Sequence, residues 1–131
     1  MKSTGPRPSI TPKRILVAED DPLVAHTLRM ALTVDGHTVV VAPDGEQALA
    51  MFCSGGYDLV ITDFKMGKMD GMELAEAIKK LSASTPVILI TAYLEAIKTS
   101  MGQVSNVDVL LGKPFSVMHL QAALAKIFPA H

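Results

Sequence analysis

The feature that most constrains this chain is an alternation. Short apolar runs of strand length recur along it, and each is followed by a segment with apolar residues at helical spacing. The first run, Arg14 to Ala18, precedes a helical stripe of Val24, Leu28 and Ala31. Asp21 as N-cap and Pro22 at the first helical position mark its start, and Asp35 and Gly36 mark its end. His37 to Ala42 reads as the second strand, and Pro43-Asp44-Gly45 turns into a helix bearing Leu49, Phe52 and Cys53. Gly55 and Gly56 close that helix, and Tyr57 to Thr62 reads as the third strand. A loop from Asp63 to Gly71 leads to a helix marked by Leu74, Ile78 and Leu81. Pro86 to Thr91 is the fourth strand, with proline tolerated as its first residue. Leu94, Ile97, Met101 and Val104 form the next stripe, Val107 to Leu111 the fifth strand, and Val117, Leu120, Leu124 and Ile127 the closing helix.

Five strands alternating with five helices predict an α/β fold, a doubly wound parallel sheet with helices on both faces. The composition agrees. Apolar residues make up 49% and mean hydropathy is +0.33, yet no run approaches the roughly eighteen residues of a membrane helix. Strands covered on both faces account for that apolar excess. With 131 residues the chain has room for one domain, expected over residues 13–129. Residues 1–12, with three prolines, two basic residues and no apolar core, read as a flexible N-terminal arm and not a signal peptide. Lys plus Arg is 12 against 13 for Asp plus Glu, a balance that argues against nucleic-acid binding through bulk electrostatics. A single cysteine permits no intramolecular disulfide and suits a reducing, cytoplasmic compartment.

In open parallel sheets, ligands bind outside the carboxyl ends of the strands. There the sequence places Glu19, Asp20 and Asp21 after the first strand, Asp63 after the third, Thr91 at the fourth and Lys113 after the fifth. Carboxylates held together repel, and a hard cation such as magnesium relieves the repulsion through oxygen. A carboxylate beside such a metal can attack phosphorus and form an aspartyl phosphate. That transfer needs in-line positioning and neutralised oxygens, which a lysine, a hydroxyl and magnesium supply. No nucleotide-phosphate loop, serine–histidine–acid set or zinc spacing competes with this reading.

The segments ILVAEDDP (15–22), YDLVITDFKMGKMDG (57–71), PVILITAY (86–93) and LLGKPF (110–115) stand in the order and spacing of a known family. From Lys13 to Phe128 the chain resembles the receiver domain of bacterial two-component response regulators. The resemblance implies a (βα)5 flavodoxin-like fold with strand order 2-1-3-4-5. It implies Asp63 as phosphoacceptor, and Glu19, Asp20, Asp63 and the backbone carbonyl of Lys65 as Mg2+ ligands, Glu19 often acting through water. Thr91 matches the hydroxyl that bonds the phosphoryl group and Lys113 the lysine that pairs with it, followed by a Lys113–Pro114 bond that is cis in many members. The side chains of Lys65 and Tyr93 fall at positions that tune dephosphorylation. Two positions depart from the pattern: Leu110 stands where receivers usually carry Tyr or Phe, and Gly67 where they tend to carry proline. Thr91 is then expected to move toward the phosphate while Leu110 repacks without an aromatic flip.

Other polar residues have plainer readings. Asp21 and Asp44 are expected to cap helices. Leu110, Met66, Met69 and Met72 are read as packing, Cys53 as a buried thiol, and no two histidines have metal-ligand spacing. The expected function is a phosphoacceptor signalling domain, not a conventional enzyme, that takes phosphate from a sensor histidine kinase or histidine phosphotransfer protein. Its output would be a downstream protein target, most often through helix four, strand five and helix five. Direct nucleic-acid or membrane binding is not expected, and whether phosphorylation drives homodimerisation stays open. Only Pro129, Ala130 and His131 follow Phe128, so a DNA-binding output is expected elsewhere unless the chain is a fragment of a hybrid kinase or larger regulator. The alternatives are a pseudo-receiver that never carries phosphate and an aspartyl-nucleophile magnesium phosphohydrolase. The latter would ordinarily need a second acid where Lys65 stands, and a cap insertion.

Overall fold

A computed structural model describes residues 10–101 and 106–129. Along the chain it contains β1 (Arg14–Ala18), α1 (Pro22–Val34), β2 (Thr38–Ala42), α2 (Gly45–Ser54) and β3 (Leu59–Asp63). These are followed by α3 (Gly71–Leu81), β4 (Val87–Thr91), α4 (Leu94–Met101), β5 (Val109–Gly112) and α5 (Val117–Ile127). All neighbouring strands pair in parallel, in the order β2-β1-β3-β4-β5. The chain steps outward from β1 to β2, then crosses back to β3 and continues the other way. Right-handed crossovers therefore put α1 on one face and α2 and α3 on the other. Alternate side chains show the division: Ile15 and Val17 pack with Leu28 of α1 and Leu120 of α5, whereas Leu16 and Ala18 pack with Ala48 of α2 and Leu74 of α3. Every residue of β3 and β4 is buried.

Local chemistry sets the helix starts. The Asp21 carboxylate accepts from the Leu23 N–H at 2.9 Å, and Asp44 accepts from the Gln47 N–H at 2.7 Å. Asp70 and Glu73 form a reciprocal capping box on α3. Ser116 and His119 do the same on α5, with the imidazole Nδ1 as acceptor from the Ser116 N–H. Gly36, at φ 93°, ends α1 in a conformation that L side chains rarely adopt.

Several expected core positions are turned outward. Leu81 and Val117 are 57% and 50% exposed, each lying at a helix end beyond the reach of the sheet. Cys53 is exposed and not buried, because Gly45, Ala48, Leu49 and Phe52 form the inward side of α2. The buried line of α1 runs through Ala25, Leu28 and Leu32, with Val24 and Ala31 at its margin. Ile10, assigned to the arm, packs against the α1/α5 core. Val104 lies outside the described residues. No described helix is long and apolar enough to cross a membrane.

The amino end of the sheet is fastened by His37. Its ring is 5% exposed, and its Nδ1 accepts from the Lys13 backbone N–H at 2.9 Å. The Lys13 carbonyl accepts from the Thr38 N–H at 2.9 Å, so β1 and β2 share both sides of that residue. Burial lowers the His37 pKa, with Lys13 adding to the effect and Asp35 opposing it. Below its ordinary value of 6.5 the unfolded chain binds a proton at His37 that the native state resists. This contribution to stability is thus whole above pH 6.5 and is lost as pH falls toward the lower folded value. Asn at this position keeps an acceptor and does not titrate. The difference in urea midpoint between wild type and His37→Asn should change as pH falls from 7 to 5, the wild type losing more stability. A difference constant across that range would count against a neutral, bonded His37.

Candidate functional site

Strand register alone brings the polar residues to one level. Ala18 pairs with Thr62, so Glu19 and Asp63 leave their strands side by side. Asp63 pairs with Ile90, placing Thr91 one step further on, and Thr91 pairs with Gly112, immediately before Lys113. Glu19, Asp63 and Thr91 are buried, while Asp20 is exposed. One carboxylate oxygen from each of Glu19, Asp20 and Asp63 lies within 4.8 Å of the others. Asp21, one residue further, caps α1 as expected.

The Lys113 ammonium stands across this cluster, 2.9 Å from Asp63 Oδ1 and 3.9 Å from Glu19 Oε1. Burial works against its charge, but the Asp63 hydrogen bond and the Glu19 and Asp63 carboxylates together hold its pKa above the usual lysine value. Its backbone N–H donates to the Thr91 carbonyl at 2.7 Å, and the Lys113–Pro114 bond is cis. Thr91 Oγ1 accepts from the Tyr93 N–H at 2.9 Å. The exposed Lys65 ammonium lies 5.9 Å from the centre of the Tyr93 ring. Leu110 is only partly buried. It lines a groove of about 620 Å³ between α4 and α5, whose wall includes the small residues Ala96, Gly112, Ala122 and Ala123.

Glu19 carries the strongest electrostatic signature. Its Oε2 accepts from the Asp21 N–H at 3.1 Å, but its buried Oε1 has no hydrogen-bond partner. Desolvation, reinforced by Asp63 and Asp20, pushes its pKa up to about 7 against the Asp21 hydrogen bond and Lys113. An unpartnered buried carboxylate oxygen beside two further carboxylates is a fit for a hard divalent cation. Glu19, Asp20 and Asp63 supply the oxygen donors that Mg2+ prefers, with positions left for water or phosphate.

Two features of the site escape the sequence reading. The Asp21 backbone N–H that holds Glu19 depends on loop conformation. Thr62, 0% exposed, donates its hydroxyl to the Asp63 carbonyl at 2.9 Å. A hydroxyl in an otherwise apolar strand was the available signal for it.

A family model described as the response regulator receiver domain matches residues 15–125. The transcriptional regulatory protein TcrA of Mycobacterium tuberculosis is 37% identical over 111 residues, covering 85% of this chain and 44% of its own. Response regulator MprA of Mycolicibacterium vanbaalenii is 33% identical over 113 residues, covering 86% of this chain and 49% of its own. The chain thus spans about half the length of these curated relatives. Among solved structures, response regulator TrrA of Thermotoga maritima, in complex with Mg(2+)-BeF, superimposes with a TM-score of 0.80 at 35% identity, covering 88% of this chain and 98% of the other.

If Glu19 holds a proton near neutrality, Mg2+ must displace it, and affinity must rise with pH. With its pKa pushed up to about 7, Glu19 should release protons as the ion binds near neutrality. Calorimetric titrations in buffers of different ionisation enthalpy measure that release directly. Mg2+ affinity should weaken from pH 8 to pH 6, and Glu19→Gln should abolish the release and flatten the pH dependence. Equal proton release in wild type and variant would assign the titration to another group.

Proposed function

The chain belongs to the response regulator receiver domain family, and on that basis we propose that it accepts a phosphoryl group on Asp63 in a Mg2+-dependent step. Receiver domains are signalling domains, not conventional enzymes. The observation that carries the proposal is the Lys113 ammonium 2.9 Å from Asp63 Oδ1, with Glu19 and Asp20 completing an acidic cluster on the same carboxylate.

The donor is a phosphohistidine of a sensor kinase or phosphotransfer protein. One Asp63 oxygen forms a bond to phosphorus as the phosphorus–nitrogen bond breaks, and the electron pair returns to the departing imidazole. The reacting carboxylate is held at the end of a rigid buried strand, so little of its orientation must be found during the reaction. Lys113 offers its fixed positive charge to the phosphoryl oxygens, and Thr91 stands one register step away to receive another oxygen. Glu19, Asp20, Asp63 and the Lys65 carbonyl hold the metal. When bound, Mg2+ neutralises charge on the phosphoryl oxygens and on the clustered carboxylates. The Mg(2+)-BeF complex of TrrA, a protein 35% identical, supports the same ligand chemistry here.

The phosphorylated domain signals to a protein target in the cytoplasm. The α4–β5–α5 side is the outlet, with Leu110 repacking into its groove as Thr91 shifts. Lys65 and Tyr93 set how readily water reaches the acyl phosphate.

Incubation with Mg2+ and acetyl phosphate, followed by intact-protein mass measurement, tests the reading. A gain of one phosphoryl group is expected, absent without Mg2+ and absent in Asp63→Asn. No gain under any condition would favour a non-phosphorylated interaction module. Multiple turnover on small phosphate esters would favour a phosphohydrolase.

A further inference from the structure

The most buried hydroxyl near the site belongs to a residue with no part in the reading above. Thr62 is the fourth residue of β3, and its side chain faces α3, where Met66, Leu74 and Ala75 form an apolar core. Valine would fill that volume without bringing a polar atom into it. A hydroxyl there must find a partner, and it donates to the Asp63 main-chain oxygen at 2.9 Å. Its one proton serves one acceptor at a time, and the Met66 sulfur, at 3.9 Å, is the softer and more distant of the two.

The peptide that receives this bond is also held by β4 and by the start of α3. A Cβ added at Gly71 would run into that same Asp63 oxygen, and would lie 2.6 Å from Leu89 Cδ1 and 3.0 Å from Phe64 Cα. The Phe64 N–H donates to the Ile90 carbonyl at 2.7 Å, and the Phe64 carbonyl accepts from the Gly71 N–H at 2.8 Å. The Asp63–Phe64 peptide therefore sits in a clamp formed by strand β4, the start of α3 and the Thr62 hydroxyl. Of these components, only the hydroxyl is a side-chain bond that substitution can remove while preserving shape. The clamped peptide fixes the direction in which the Asp63 carboxylate leaves the strand. It also sets the course of the chain toward Lys65.

We propose that Thr62 is a positioning residue for the phosphoacceptor, its hydroxyl locking the Asp63–Phe64 peptide so that the Asp63 carboxylate and the Lys65 carbonyl are presented together to metal and phosphate. The proposal rests on the phosphoacceptor reading of Asp63 and adds the group that orients it. Thr62 itself touches neither metal nor phosphate. The loss of one neutral hydrogen bond, transmitted to the reacting geometry, corresponds to about a three- to tenfold change in rate or affinity.

Two matched pairs isolate the hydroxyl: wild type against Thr62→Val, and Thr62→Ser against Thr62→Ala. Each pair has nearly constant shape, and the second carries the test if Thr62→Val does not fold. Three quantities are measured on each protein: Mg2+ affinity by calorimetry, phosphorylation rate with acetyl phosphate, and Gly71 and Phe64 amide exchange without metal. Within each pair, the protein lacking the hydroxyl should bind Mg2+ and react about three- to tenfold more weakly, with faster exchange at both amides. Thr62→Ser should match wild type in rate and affinity even where its unfolding midpoint falls. Equal Mg2+ affinity and exchange within each pair would overturn the proposal, as would Thr62→Ser declining together with Thr62→Ala. A wild-type protein that takes no phosphate would overturn the phosphoacceptor reading instead, leaving Mg2+ affinity and amide exchange to decide the role of Thr62.

Discussion

Parallel strands buried on both faces leave little room for polar side chains except at their ends, where the sheet meets solvent. That constraint organises this protein. Burial of β3 and β4 along their whole length leaves the carboxyl rim as the place where Asp63 and Thr91 can appear. Parallel pairing then brings every such rim residue to the same edge, however far apart in sequence. Glu19 and Lys113 are separated by most of the chain, yet their charged groups lie 3.9 Å apart because β1, β3, β4 and β5 pair in register.

The electrostatics of the edge follow from that gathering. Three carboxylates share a small volume with one ammonium. Lys113 forms a close hydrogen bond to Asp63 and only a longer ion pair to Glu19, so Asp63 is paired while the neighbouring acid is left with an unsatisfied oxygen. A raised pKa at Glu19 and a fit for a divalent cation have the same origin: negative charge gathered where water is scarce. Residues behind the rim keep the gathered groups in place. The Asp21 N–H holds Glu19, the Lys113 N–H binds the Thr91 carbonyl, and the Thr62 hydroxyl binds the Asp63 carbonyl.

Much of this was legible in the sequence because it depends on periodicity and local chemistry. The apolar runs mark all five strands, and Asp21, Asp44 and Gly36 mark helix ends through preferences that are local by nature. Glu19, Asp20, Asp63 and Lys113 come together because strand order determines their meeting. Side-chain facing near helix ends was less legible. Leu81 and Val117 continue an apolar stripe in sequence, but the sheet beneath them does not extend far enough to cover them, and Cys53 lies off the inward side of α2. Contacts with the backbone other than the aspartate N-caps were not legible. The His37–Lys13 bond, the Glu19–Asp21 bond and the imidazole in the α5 capping box depend on where a main-chain group sits after folding, and residue type alone does not reveal that.

On the proposed reading, the carboxylate paired with Lys113 is the one that takes phosphate. Borohydride reduces an aspartyl phosphate to homoserine and leaves free carboxylates untouched, so it records the modified position as a stable mass change. The protein would be reacted with Mg2+ and acetyl phosphate, reduced, digested and sequenced by mass spectrometry. Homoserine is expected at position 63 and at no other aspartate. Reduction at Asp20 or Asp21, or an unreduced Asp63 in protein that has gained phosphate, would contradict it.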